Sequence, residues 1–167
     1  MELLKKIRDR APEYDAVHED MIRRFTVGQG GRAGSASDSS AWEQGKYFST
    51  KYEIYMYATL LGLKHDYRLP LSKDSKKEKF IEIKSWQPAD LADYVVMSII
   101  AKSEIDLNEL EDKQDVEVEK EILNLRKLME EYANGGFDKI KAKLESEPMF
   151  FENNENCFLD LLDTNLT

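Results

Sequence analysis

Cysteine is nearly absent from this 167-residue chain, with one copy at Cys157, so no intrachain disulfide can staple the fold. Histidine is almost as scarce, at His18 and His65. Zinc sites draw four ligands from Cys and His, or from an ordered set of carboxylates. Three scattered candidates do not provide one, and neither a metal nor a cofactor is expected. His18 and Asp20 read as solvated on a charged helix. His65 follows a helix end, where an imidazolium would suit the dipole. Cys157 lies beside Phe158 in an apolar segment and reads as a small buried hydrophobe rather than a nucleophile. No serine sits in a nucleophile-elbow pattern. Long apolar runs are missing as well. The longest, from Tyr94 to Ala101, falls far short of the roughly 18 to 20 residues that span a bilayer. No apolar signal core follows Met1-Glu2-Leu3-Leu4-Lys5-Lys6. The expectation is a cytoplasmic protein with no membrane contact.

Charge is abundant, at 34% of residues, with a net value of −9. It is divided unevenly. Residues 1–84 carry 16 bases against 13 acids, a balance of +3, and residues 85–167 carry 8 against 20, a balance of −12. The acidic half would repel a phosphate backbone. Any nucleic-acid contact is therefore expected in the first half, through Arg23, Arg24 and Arg32 and through Lys73, Lys76, Lys77 and Lys79. The acidic half reads as solvated helix faces or as a surface for a basic partner protein.

Residues 2–24 read as helix in two parts, interrupted at Pro12, which lacks an N–H. The second part starts at Glu13, with Tyr14, Val17, Met21 and Phe25 as its apolar stripe. The chain divides into an N-terminal helical arm (1–26), a flexible Gly/Ser-rich loop (27–46) and a helical body (47–167). The run from Gly28 to Gly34 lacks the lysine and the preceding strand of a Walker loop, so it reads as loop only. In the body, Thr50-Lys51-Tyr52-Glu53 has capping-box form and opens a helix expected to stop at Gly62. Leu69-Pro70-Leu71 is extended, Ser72 to Lys79 is a polar loop, and Phe80 to Lys84 is a short strand or linker. A helix then runs from Pro88 to about Lys102, and a helical turn covers Leu107 to Leu110.

The longest helix is expected from Val116 to Ala133, with Val118, Ile122, Leu125, Leu128, Met129 and Tyr132 on one face. It leads into Tyr132-Ala133-Asn134-Gly135-Gly136. Helices often end where one residue turns left-handed, which glycine does without penalty. A helix end at Gly135-Gly136 is therefore expected, with a further helix from Phe137 to Pro148. Cys157 to Leu162 should pack back onto the body. The fold class is mostly α, a compact bundle of about five or six helices with little or no β-structure.

One catalytic pattern needs weighing. On a strand, Glu82 and Lys84 would share a face. A Glu-x-Lys pair with an upstream acid, Asp66 or Asp74, is how some metal-dependent nucleases hold a cation and activate water. A three-residue pattern arises readily by chance in so charged a chain. A non-catalytic protein is the expectation, with the nuclease and a helical nucleic-acid-binding module as alternatives.

Four segments in order carry a resemblance. Tyr47-Phe48-Ser49-Thr50-Lys51 leads into Tyr57-Ala58-Thr59-Leu60-Leu61-Gly62-Leu63. Arg68-Leu69-Pro70-Leu71 follows, and then Glu131-Tyr132-Ala133-Asn134-Gly135-Gly136-Phe137. Over residues 47–145 this order resembles the dnd-system-associated protein 4 family, small bacterial proteins linked to DNA phosphorothioation. The chain departs from that family's pattern at Thr59, where alanine is expected, at Phe137 for leucine, and at Asp66 for a small residue. The resemblance implies an accessory protein of a defence or restriction system whose partners are other proteins of that system. It supplies no catalytic residues.

Overall fold

The structure, a computed structural model, describes residues 2–27, 47–152 and 154–163. The Gly/Ser-rich stretch at 28–46, and Arg32 with it, lie outside the described residues. The architecture is mostly α, as the sequence predicts. Among the described residues there are seven helices and one two-stranded sheet. The helices are α1 (Glu2–Arg8), α2 (Glu19–Phe25), α3 (Lys51–Lys64), α4 (Ala89–Lys102), α5 (Leu107–Leu110), α6 (Asp115–Ser146) and α7 (Cys157–Asp163). The strands are β1 (Glu13–Asp15) and β2 (Lys77–Lys79).

Two helices organise the rest. α3 is buried almost all round, through Ile54, Tyr55, Met56, Ala58, Thr59, Leu61 and Gly62. It packs along α6, a helix of 32 residues that at 1.5 Å per residue is ~48 Å long. Thr50 caps α3, its hydroxyl accepting from the Glu53 N–H at 3.2 Å. The return bond departs from the expected capping box, because the Glu53 carboxylate accepts from the Ser49 N–H at 2.6 Å. Gly62 is not the stop. The helix continues to Lys64, and the left-handed residue is Asp66, at φ 48°. The Tyr67 N–H donates to the Gly62 carbonyl at 2.9 Å and the Asp66 N–H to that of Leu63 at 3.1 Å, which closes a Schellman turn.

The N-terminal segment differs from expectation after Pro12. Glu13–Asp15 is a strand, antiparallel to Lys77–Lys79, in the register Glu13↔Lys79, Tyr14↔Glu78 and Asp15↔Lys77. Two of the three opposed pairs are of opposite charge, which favours this pairing over an isolated helical turn. The ladder is extended by bonds from the Ala16 N–H to Lys76 at 2.8 Å and from the Phe80 N–H to Pro12 at 3.1 Å. The expected polar loop at 72–79 therefore ends in a strand. Only from Glu19 does the chain turn α-helical, so Val17 falls off the apolar stripe and is 60% exposed, while Tyr14, Met21 and Phe25 are buried. Leu3, Ile7, Tyr14, Ile22 and Phe25 belong to the same hydrophobic core as α3 and α6.

Two aromatic groups fill that core. Tyr55 meets Phe80 at 4.9 Å and Trp86 at 5.5 Å between centroids. Phe25 meets Phe151 at 5.2 Å and Phe158 at 5.1 Å. Cys157, Phe158 and Leu161 of α7 are buried here, as the sequence predicts for the last apolar segment.

Candidate functional site: the glycine crossing and the acidic cleft

The helix end expected at Gly135-Gly136 does not exist. α6 runs unbroken from Asp115 to Ser146, and both glycines are buried inside it. Glycine in a helix interior costs roughly 1 kcal/mol relative to alanine, so close packing has to account for the pair. A Cβ on Gly136 would lie 1.8 Å from the Ala58 carbonyl oxygen of α3, and one on Gly62 would lie 2.1 Å from that of Tyr132 on α6. Residues 58 and 62 of α3 thus meet 136 and 132 of α6, one turn apart on each helix. The backbones cross in contact. Gly135 faces elsewhere, since its Cβ would lie 2.2 Å from the Tyr67 carbonyl oxygen. One glycine admits a helix and the other admits the segment leaving the Schellman turn.

The polar residues of the motif hold the segments that the glycines admit. The Asn134 amide donates to the carbonyls of Leu69 and Pro70, each at 3.2 Å. Its oxygen lies 2.8 Å from His18 Nε2. Because the amide nitrogen serves the two carbonyls, Asn134 Oδ1 is the acceptor and His18 carries its proton on Nε2. His18 is buried, against the expectation of a solvated residue, and stacks on Phe137 at 5.2 Å. Its Nδ1 is buried without a hydrogen-bond partner. Charging the ring would place a proton on that unserved atom, and burial accordingly holds the His18 pKa below its ordinary value. His65 is shifted the same way, by burial first and then by Lys139 and Lys64. It is therefore not the imidazolium expected at the helix end.

Neighbouring residues act alike. The Glu130 carboxylate accepts from the Glu13 N–H at 2.9 Å and lies 3.4 Å from Arg126 Nε. Burial nonetheless raises its pKa. The Tyr132 hydroxyl donates to Asp66 at 3.1 Å, and Lys102 pairs with the same carboxylate at 2.8 Å. The Leu69 N–H donates to the Glu131 carbonyl at 3.0 Å. The departures from the family pattern also have partners: the Thr59 hydroxyl donates to the Tyr55 carbonyl at 2.8 Å, and Phe137 stacks on His18. The stretch from Glu130 to Phe137 is a structural keystone.

The residues of the nuclease alternative are not brought together. Glu82 precedes a 3₁₀ turn (Ile83–Ser85) rather than lying on a strand. Lys84 pairs with Asp9 at 2.9 Å, Asp66 is engaged as above, and Asp74 is exposed in the loop before β2. Among the described residues no three His, Cys, Asp or Glu groups are arranged to hold a metal ion. Of the expected nucleic-acid contacts, Arg23 pairs with Glu19 at 2.9 Å and Arg24 lies 3.9 Å from Glu152. Lys76 pairs with Glu78 at 2.8 Å. Lys73 is exposed, and Lys77 and Lys79 are exposed on β2.

A cleft of about 850 Å³ lies along α6 from Glu121 to Tyr132, so it borders the glycine crossing. Its walls are the turn after α3, the end of α4, α5 and α6 as far as Tyr132, and six acids (Asp66, Glu104, Asp106, Glu109, Glu121 and Glu131) face four bases (Arg68, Lys102, Lys113 and Lys127) around it. Residues 104–121 hold nine acids and two bases. Glu104, Glu109, Glu111 and Asp112 are exposed and form no ion pair among the described residues. Leu107 and Val116 are exposed among them, Val116 by 80%. The signal for this surface was the charge split. The keystone was visible as a motif, but its role was not.

These features define a small helical scaffold with a glycine-mediated helix crossing on its longest helix and, next to it toward the helix N-terminus, a cleft with an acidic rim. The family model for DNA sulphur modification system-associated protein 4 matches residues 38–163, and the chain belongs to that family. No curated protein and no solved structure matches it. No helix among the described residues is long and apolar enough to cross a membrane.

Proposed function

We propose that this chain is a non-catalytic accessory of a bacterial DNA sulphur modification system, working in the cytoplasm as an adaptor between proteins of that system and serving its defence role. One observation carries the reading: the polar groups of the family motif are committed to the chain's own segments, Asn134 to Leu69, Pro70 and His18, and Glu130 to Glu13. A motif spent on the fold leaves recognition to the surface. The surface with the strongest character is the acidic stretch 104–116, where Glu104 and Glu109 line the cleft and exposed Glu111, Asp112, Leu107 and Val116 lie outside it, and it suits a basic protein partner with an apolar anchor. Duplex DNA would be repelled there.

The test uses proteins of the system, each purified and mixed with this chain in gel filtration. Co-elution with one of them, lost when Glu104, Glu109, Glu111 and Asp112 are changed together to Lys, is the expected result. The nuclease alternative is tested in parallel. Manganese-dependent cleavage of DNA that disappears in Glu82→Ala would replace the adaptor reading with an enzymatic one.

A further inference from the structure

A second cavity, of about 350 Å³, opens where the turn after α1 meets the chain following β2 and the middle of α6. We propose that it is a binding site for an oxyanion of the phosphate class. Three cations line it from three separate elements: Arg10, Lys79 and Arg126. Lys79 forms no ion pair among the described residues. Arg10 spends Nη2 on Glu119, while its buried Nε has no hydrogen-bond partner. The Arg126 Nε lies 3.4 Å from Glu130 but makes no hydrogen bond with it or with any other group. A guanidinium carries five N–H donors in a rigid fork. Each of these two is paired with one carboxylate, Arg10 with Glu119 and Arg126 with Glu130, but Arg10 Nη1 and the two terminal nitrogens of Arg126 enter no hydrogen bond among the described residues and are the donors left for an anion.

Asp9 and Glu82 line the cavity. Asp9 is taken by Lys84 at 2.9 Å, Glu119 is engaged by Arg10, and Glu130 is bound to the Glu13 N–H. Glu82 keeps no partner in the site, and Glu13 lies opposite Lys79 in the β1–β2 register. The geometry is held in place by the backbone. The bond from the Ile83 N–H to the Arg10 carbonyl at 3.0 Å and the β1–β2 ladder fix two walls, and α6 supplies the third. Phe80 and Ile81 add an apolar side. The volume falls within the range of small-molecule sites, so there is room for a phosphate together with a modest organic group. The site does not depend on the adaptor reading, because it lies apart from the acidic cleft.

The experiment is a titration of the full chain followed by the Arg side-chain Nε–Hε resonances in ¹⁵N NMR. Three probes are used at matched ionic strength against chloride: inorganic phosphate, adenosine monophosphate and a short DNA duplex. The expected result is a saturable shift of Arg10 and Arg126 with phosphate or the nucleotide, weakened about tenfold in Lys79→Ala. Lys79 is exposed and unpaired, so that variant folds. A nucleotide that binds more tightly than phosphate identifies a phosphate ester as the ligand, and equal affinities identify the free ion. Shifts seen with the duplex alone would overturn the small-ligand site in favour of a backbone contact. No saturable shift with any probe, or shifts unchanged in Lys79→Ala, would overturn it outright.

Discussion

The two halves of α6 share one helix and little else. From Met129 to Ile140 eight of twelve residues are buried and none is exposed, and Gly136 brings its backbone against that of α3. From Asp115 to Leu128 only Ile122 and Leu125 are buried, Val118 and Leu128 pack partly against the core, and the remaining side chains form a solvated face of mixed charge. The inner half is stabilised by close contact and by polar groups that have no freedom left. The outer half has freedom and charge and contributes little to the fold. A distinctive motif can therefore mark where a protein is assembled rather than where it acts.

The comparison is broken most severely at the crossing. Gly136→Ala would force a methyl to within 1.8 Å of a backbone carbonyl on α3, and backbone cannot swing aside as a side chain can. A loss of about 4 kcal/mol or more is expected, enough to unfold a marginal domain. Urea denaturation monitored by circular dichroism measures it. Gly62→Ala should behave alike. Were the glycines a helix stop, alanine there would cost only the left-handed strain of about 1–2 kcal/mol.

Next in size is Asn134→Ala. It removes bonds to two carbonyls and leaves His18 Nε2 without its acceptor. A cost of about 2–3 kcal/mol is expected from the unserved buried groups, read as a lower denaturation midpoint with the fold retained.

Two buried groups make the inner half sensitive to pH, with opposite signs. The His18 pKa in the folded protein lies below 6.5, its ordinary value. The unfolded chain binds the proton first, so stability should fall as pH drops below about 6.5, and His18→Gln should flatten that fall in part. His65 contributes in the same direction. The Glu130 pKa in the folded protein lies above 4.5. Its contribution is favourable below that value and is lost as pH rises through the folded pKa. Glu130→Gln keeps the acceptor for the Glu13 N–H, so its benefit should appear towards neutral pH and vanish in acid. Denaturation series across pH measure both.

Much of the fold was legible in the sequence. Periodicity placed α4 and α5, the Thr50 cap opened α3, Pro148 followed the end of α6, and the charge split located the acidic half. Local signals failed where tertiary contact decided the outcome. Glycine reads as a helix stop because its freedom is a local property, whereas its other use, admitting a second backbone, depends on a partner far away in sequence. Gly62 and Gly136 each need the other helix to be understood. The strand at Glu13–Asp15 needed Lys77–Lys79, 62 to 66 positions on by the register, and nothing near Glu13 signals it. His18 was misplaced for the same reason: its burial is created by Asn134 and Phe137. The one left-handed residue among the described residues, Asp66, was not a glycine at all.

The smallest stability effect belongs to the outer half. Changing Glu104, Glu109, Glu111 and Asp112 together to Lys touches no described ion pair. Each site should shift stability by no more than about 0.5 kcal/mol, and relief of like-charge crowding favours the folded state. Thermal melting checks this.

The most direct test of the account sets that quadruple variant beside Asn134→Ala. Melting temperature and the dissociation constant for the co-eluting partner protein are measured on both, with binding read well below either melting point. The account predicts a double dissociation: the quadruple Lys variant melts as the parent does and loses the partner, while Asn134→Ala melts early and binds as the parent does. A quadruple variant that binds undiminished, with Asn134→Ala failing to bind while still folded, would contradict it and return function to the motif.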